Sequence, residues 1–114
     1  MRTLLFLLLF TLLTLNASQD KTHTAKIAIK SASELDYPPF STVLKDGTAS
    51  GFSVELLKAT LNAMDRNVEF YVDDWKTLKE DLKDAKIDVL PVVGKTDERE
   101  KFYDFTIPYI SVHG

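Results

Sequence analysis

The hydrophobic and polar positions of the chain follow two periods, and each period predicts one kind of element. Residues 26–30 alternate polar and apolar side chains, which predicts a first strand. Residues 68–72 predict a second strand in the same way. Between these strands, apolar residues recur at spacings of three and four, which predicts a helix. The apolar face of this helix carries Val54, Leu57, Leu61 and Met64.

The carboxyl half continues the alternation with a second helix and a third strand. Asp73 or Asp74 is the predicted N-cap of this helix. Its apolar stripe consists of Trp75, Leu78, Leu82 and Ala85. Residues 87–93 are nearly all apolar, which predicts a strand covered on both faces. A short helix is predicted to begin within residues 96–99, and residues 102–109 are predicted to be extended.

This order of strands and helices predicts an α/β domain with a mainly parallel sheet, helices on its faces and right-handed crossovers. In such sheets, ligands bind beyond the carboxyl ends of the strands. In this chain, those ends lead into residues 31–40, 73–75 and 91–99. A binding site is therefore expected where these three segments meet.

The amino end predicts export from the cytoplasm. A positive start at Met1-Arg2, an apolar run over residues 4–15 and a small residue at Ala17 form a signal-peptide pattern, residues 1–17. The apolar run is shorter than the roughly 20 residues of a membrane-spanning helix, and an uncleaved anchor is the alternative interpretation. Residues 18–25 are predicted to be a flexible leader, and the cleaved chain is expected in the periplasm.

Composition excludes several classes of function. Without Arg2, 13 of the 14 basic residues remain against 17 acidic residues, a net charge of −4. Such a chain lacks the basic patch that nucleic-acid binding requires. His23 lies in the leader and His113 near the end, and the sequence has no cysteine, glycine-rich phosphate loop or metal-ligand spacing. We therefore expect a protein that is not an enzyme and uses no cofactor or metal.

Five segments in order resemble the extracellular solute-binding proteins of family 3. They are YPPF at 37–40, GFSVEL at 51–56, IDVLP at 87–91, TDER at 96–99 and DFTIPY at 104–109. The resemblance covers the chain from Lys26 onward. Pro91 and the last of these segments look most like the copies fused to membrane-bound sensor kinases and diguanylate cyclases.

The resemblance implies a periplasmic-binding-protein fold of type II, in which two lobes close on a ligand. Residues 26–114 would be an incomplete first lobe, with the second lobe and a returning segment absent. The implied ligand is a small polar solute, an amino acid or a related carboxylate. The implied partner is an ABC permease or, alternatively, a fused membrane signalling domain. A truncated gene fragment without its own function is the third interpretation.

Arg99 is the strongest candidate for ligand binding that the resemblance implies. In amino-acid binders of the family, an arginine at this motif position holds the ligand carboxylate, and a guanidinium can do so with two charge-assisted hydrogen bonds. The alternative is an arginine paired with Asp97 or Glu100 on a solvated turn. Gly94 departs from the family pattern, which often has a serine or threonine there, and leaves only its backbone N–H for the ligand.

Aromatic and acidic side chains complete the implied pocket. Tyr37, Phe40 and Trp75 match family positions that wall the pocket, where a ring face can attract a cationic amine. The alternative for all three is a place in the core. Glu34, with Asp36, could meet a ligand ammonium group, although carboxylates before a proline turn are commonly solvated.

Three charged residues near these segments have plainer interpretations. Asp88 and Asp104 each precede or enter an apolar segment and are predicted to fix turns by hydrogen bonds. Lys95 either adds positive potential at the mouth of the site or is a solvated loop residue.

The predicted third strand has consequences for stability, because an unpaired apolar strand edge promotes association. We expect residues 18–114 alone to unfold with low cooperativity and to aggregate. Circular dichroism melts at several protein concentrations test this expectation. A sharp, reversible and concentration-independent transition would contradict it.

Overall fold

The computed structural model describes residues 26–113 of the chain. The predicted signal peptide, residues 1–17, and the predicted leader, residues 18–25, lie outside the described residues. Within residues 26–113, no helix is long and apolar enough to cross a membrane.

Two parallel strands form the centre of the fold. Strand β1, Ile29–Glu34, pairs with strand β4, Val68–Asp73, so that their first residues are partners and Glu34 lies opposite Asp73. A small antiparallel hairpin of β2, Thr42–Val43, and β3, Ala49–Ser50, follows β1. A turn at residues 45–48 joins these two strands, and the Asp46 carboxylate accepts the Thr48 N–H at 2.9 Å.

Helix α1, Phe52–Ala63, provides the crossover between the two parallel strands. It begins directly after Gly51, whose φ of 109° lies in a region that residues with a side chain rarely adopt. A Cβ atom at Gly51 would also lie 2.5 Å from the Phe40 carbonyl oxygen. Glycine at this position therefore lets the hairpin turn directly into α1. Only part of the predicted apolar face of α1 is covered, since Val54 is buried while Met64 is 65% exposed.

Helix α2, Trp75–Lys83, follows β4 and buries Leu78 in the core. Asp74 caps it, as one of the two predicted candidates, by accepting the N–H groups of Lys76 and Thr77 at 2.9 and 3.1 Å. The buried core joins this helix to the sheet and to the segment after it through Leu78, Ala32 and Ile87. The helix, strand, helix order around a parallel sheet confirms the predicted α/β class.

The first strand lies three to four residues later than predicted. The alternating pattern at residues 26–30 suggested its position, but β1 is Ile29–Glu34. Its most buried residues are Ser31, Ala32 and Ser33, which are small enough to lie between the packed elements. Burial of serine leaves no apolar signal in the sequence, and this is why the prediction stopped early.

The predicted third strand, residues 87–93, is wrong as a continuous strand. Only Val89 pairs with β1, through a single parallel bridge to Ser31. Pro91 has no N–H to donate to a ladder, and Val92 has a φ of 59°, which is outside the β region. The chain therefore leaves the sheet after one bridge, although Ile87 is buried as predicted.

The residues after this bend contain little regular structure. The predicted helix start at residues 96–99 is reduced to one 3₁₀ turn, Arg99–Lys101. Residues 103–113 form neither helix nor strand. Residues 88–93 and 102–107 enclose, with α1, an apolar cleft of about 570 Å³.

Candidate functional site

The carboxyl ends of the strands bring three segments to one edge of the sheet. Glu34 and Asp73 end β1 and β4 as direct partners. The bridge between Ser31 and Val89 is also parallel, so the chain after Val89 leaves toward the same edge. This is the edge at which ligands bind in open parallel sheets, and it carries the segments that the sequence indicated.

Arg99 lies at this edge and is held by two uncharged groups. Its Nη1 donates a hydrogen bond of 2.8 Å to the Gly94 carbonyl oxygen. Its guanidinium carbon lies 5.6 Å from the centre of the Trp75 ring, a cation–π distance. Its backbone N–H bonds the Thr96 hydroxyl at 3.2 Å. The structure thus brings together three of the predicted site residues, Arg99, Gly94 and Trp75.

No carboxylate neutralises Arg99 within residues 26–113. Neither Asp97 nor Glu100 pairs with it, so the alternative of a locally paired arginine does not hold for the described part of the chain. Glu100 pairs instead with Lys95 at 2.7 Å. Lys95 is therefore a compensated surface charge, whereas the positive charge of Arg99 is available to an anion.

Gly94 acts through its carbonyl group, which the sequence did not reveal. The expectation was a backbone N–H for the ligand, but the contact that the structure defines is the carbonyl bond to Arg99. A Cβ atom at Gly94 would lie 3.4 Å from Arg99 Nη1, which is ordinary to tight contact. An alanine at position 94 would therefore touch the guanidinium without a severe clash.

Trp75 is a half-buried ring with cations beside it. Lys79 Nζ lies 5.6 Å from its centre, the same distance as the Arg99 guanidinium carbon. The ring does not belong to the buried core around Leu78. Its place at the start of α2, directly after the carboxyl end of β4, puts it at the site edge rather than inside the core.

Tyr37 and Phe40 form a separate aromatic group. Their ring centres are 5.4 Å apart, and Phe40 also meets Phe52 at 6.5 Å in an edge-on arrangement. Tyr37 is 39% exposed, and its backbone exchanges two hydrogen bonds with Ser41. Among the aromatic contacts of residues 26–113, none joins this group to Trp75.

The acidic candidates take different positions, some at the end of β1 and one bonded to the backbone of β1. Glu34 is half-buried at the end of β1, and Asp36 is exposed just beyond it. Asp88 accepts the Lys30 N–H at 2.8 Å, so it ties its segment to β1, 58 positions earlier in the sequence, rather than fixing a local turn. Asp104 is exposed. Within residues 26–113, no group of three or more metal-ligating side chains is placed to hold an ion.

Two tyrosines contribute contacts that the sequence did not indicate. The Tyr103 hydroxyl donates to the Lys79 carbonyl oxygen at 2.8 Å. The Tyr109 hydroxyl accepts the N–H of Val92 at 3.1 Å, at the residue with left-handed backbone. Both lie in a segment whose pattern suggested only extended chain. Their hydroxyl groups were the only feature of the sequence that could have indicated these hydrogen bonds.

Residues 29–114 match the bacterial extracellular solute-binding proteins, family 3. This match covers most of the chain, and the protein belongs to this family. The chain spans about a third of the length of the curated relatives it matches.

Solved structures agree with this assignment. A polar amino acid ABC uptake transporter substrate-binding protein from Streptococcus thermophilus is 32% identical, with a TM-score of 0.67, over 72% of this chain and 31% of its own. An ancestral cyclohexadienyl dehydratase is 34% identical, with a TM-score of 0.65, over 73% and 35%. A histidine kinase sensor domain with similarity to periplasmic binding proteins is 29% identical, with a TM-score of 0.63, over 67% and 33%.

These likenesses define the fold as part of one lobe of a type II periplasmic binding protein. The fold class and the family that the sequence motifs implied are therefore confirmed.

The cap of α2 gives a test of how the Trp75 end of the site is held. The pKa of Asp74 is lowered from 3.8, chiefly because its carboxylate accepts hydrogen bonds from the side chain and backbone of Thr77. We expect Asp74→Ala to lower the melting temperature at neutral pH, because two backbone N–H groups lose their acceptor. The lowered folded-state pKa means that this stabilisation is present above the unfolded pKa and is lost as pH falls through the folded value.

Circular dichroism melts of wild type and Asp74→Ala should therefore converge at acid pH. Asp84→Ala is the matched control, because Asp84 lies at the other end of the same helix, where a carboxylate is unfavourable to the helix dipole. An equal loss of stability in both variants would contradict the capping role.

Proposed function

We propose that residues 26–114 form the first lobe of a two-lobed solute-binding domain that binds a small polar solute, an amino acid or a related carboxylate. One observation carries the proposal. Arg99 lies at the carboxyl edge of the sheet with its charge held by a carbonyl group and a ring rather than by an acid. A solute carboxylate would supply the missing negative charge.

The geometry of Arg99 suits an anionic group. A guanidinium has five N–H donors, and the bond to Gly94 uses one of them. The other donors include both groups of the Nε–Nη2 edge, which can bind the two oxygens of a carboxylate at once. Trp75 lies beside the guanidinium and limits its rotation, so less conformational freedom is lost when the solute binds.

The remaining predicted residues would complete the first-lobe side of the pocket. Tyr37 and Phe40 lie beyond the end of β1 and offer ring surface to the part of the solute remote from its carboxylate. Glu34, at the same end, could meet an ammonium group. The facing side of the pocket would come from the second lobe.

Delivery of the solute to an ABC permease is the proposed role, with the domain exported to the periplasm. The likeness to a substrate-binding protein of an ABC uptake transporter supports this role. The signal-peptide pattern of residues 1–17 supports export. Binding without catalysis is part of the proposal, because Asp73 and Asp74 are used for the start of α2 rather than for chemistry.

A ligand-sensing input domain is the second candidate, favoured by the likeness to a histidine kinase sensor domain. Sequencing the gene through and beyond the Gly114 codon separates the candidates. A second lobe followed by a stop supports the transport receptor, whereas a membrane helix and a signalling domain support the sensor. A stop at Gly114 itself would support a gene fragment and withdraw the binding proposal.

Arg99→Ala tests the proposed site in the full-length protein. Removing one partner of a buried charged contact costs about 2–5 kcal/mol of binding free energy, which corresponds to a rise in Kd of roughly 30- to several thousand-fold. Isothermal titration calorimetry with a panel of L-amino acids and dicarboxylates measures this change. Each solute should also be recovered unchanged after release.

Lys101→Ala is the matched control, because Lys101 is an exposed cation in the same 3₁₀ turn. It should leave the Kd close to that of the wild type. An Arg99→Ala protein that binds its solute as tightly as the wild type would remove Arg99 from the site.

A further inference from the structure

The segment that carries Arg99 lies along one stripe of α2. The stripe consists of Trp75, Lys79 and Lys83, which are spaced four residues apart and therefore share one face of the helix. Three residues of the segment 99–103 each contact one member of this stripe. Together the three contacts extend from the amino end of α2 to its carboxyl end.

The three contacts differ in chemistry. The Arg99 guanidinium carbon lies 5.6 Å from the centre of the Trp75 ring. The Tyr103 hydroxyl donates a hydrogen bond of 2.8 Å to the Lys79 carbonyl oxygen. Lys83 Nζ lies 4.2 Å from the centre of the Phe102 ring, closer than any other cation–π contact within residues 26–113.

The backbone joins the contacts of Phe102 and Tyr103 to Arg99. The N–H groups of Phe102 and Tyr103 both donate to the Arg99 carbonyl oxygen at 3.0 Å. A displacement of Tyr103 or Phe102 from α2 would therefore move the backbone of Arg99 with it. The 3₁₀ turn itself has only three residues, and such short turns have poor hydrogen-bond geometry of their own.

We propose that Tyr103 and Phe102 are positioning residues, which fasten the 3₁₀ turn to α2 and so hold the Arg99 guanidinium over Trp75. Tyr103 does this through its hydroxyl and Phe102 through its ring beneath Lys83. The consequence for ligand affinity rests on the proposed function, whereas the placement of Arg99 over Trp75 does not depend on any ligand.

Trp75 provides a direct spectroscopic reporter of this placement. It is the one tryptophan of the 114-residue sequence, and a cation beside an indole ring changes its emission. The emission spectrum and acrylamide quenching of Trp75 are measured in the full-length protein without ligand, with Trp75→Phe subtracted as background. The compared variants are Tyr103→Phe, Lys83→Met and Arg99→Ala.

We expect Tyr103→Phe to shift the Trp75 emission and quenching in the same direction as Arg99→Ala, with Lys83→Met giving a smaller shift. Tyr71→Phe is the matched control, because it also removes a hydroxyl bonded to α2, here to Asp81 at 2.5 Å. It should leave the Trp75 emission unchanged. A solute that binds the wild type should bind Tyr103→Phe about five- to tenfold more weakly, the effect of one lost hydrogen bond.

The outcomes separate the two proposals. Wild-type emission in Tyr103→Phe and in Lys83→Met would overturn the positioning role, whatever the ligand results are. The expected emission shifts, without solute binding by the wild type, would retain the positioning role and reject the proposed function. If Tyr103→Phe does not fold, Lys83→Met decides alone, because Lys83 is exposed and its substitution retains the aliphatic stem.

Discussion

The parallel pairing of β1 with β4 is the constraint on which the rest of the structure depends. Its register places Glu34 opposite Asp73, so that the chain leaves both strands at one edge. The segments that carry the candidate site residues begin at that edge. Trp75 comes two residues after β4, and Arg99 reaches the same region because Val89 bridges to β1 in parallel. A different register would separate the ring from the guanidinium.

The local partners of Arg99 decide what it can do. Lys95 is four residues away in sequence and has a carboxylate partner at 2.7 Å, so an incoming anion would have to compete with Glu100 for it. Arg99 is held by a dipole and a ring, which orient the guanidinium without cancelling its charge. Orientation without neutralisation is what a site for a carboxylate requires, because a charge that is already paired has little left to gain from a ligand.

The bend after Val89 directs the chain toward Gly94 and Arg99, which a continuous third strand would not do. A strand through residues 87–93 would continue along the sheet, whereas the left-handed Val92 turns the chain away after one bridge. Such backbone costs about 1–3 kcal/mol for a residue with a side chain, and the bond from Val92 N–H to Tyr109 accompanies it. Gly94 then follows with its carbonyl directed at Arg99.

The sequence by itself determined the family, the alternation of the two parallel strands with two helices, and a capping aspartate at position 73 or 74, because periodicity, capping and motif order are local properties of the chain. The burial of Ser31 and Ser33, the loss of the third strand and the contacts of Tyr103 were decided by tertiary structure. Small polar residues are buried only when partners close over them, and a ladder fails where proline and a left-handed residue meet the neighbouring strand. The contact between Arg99 and Trp75 joins residues 24 positions apart, and only the packing of the turn on α2 brings such distant residues together.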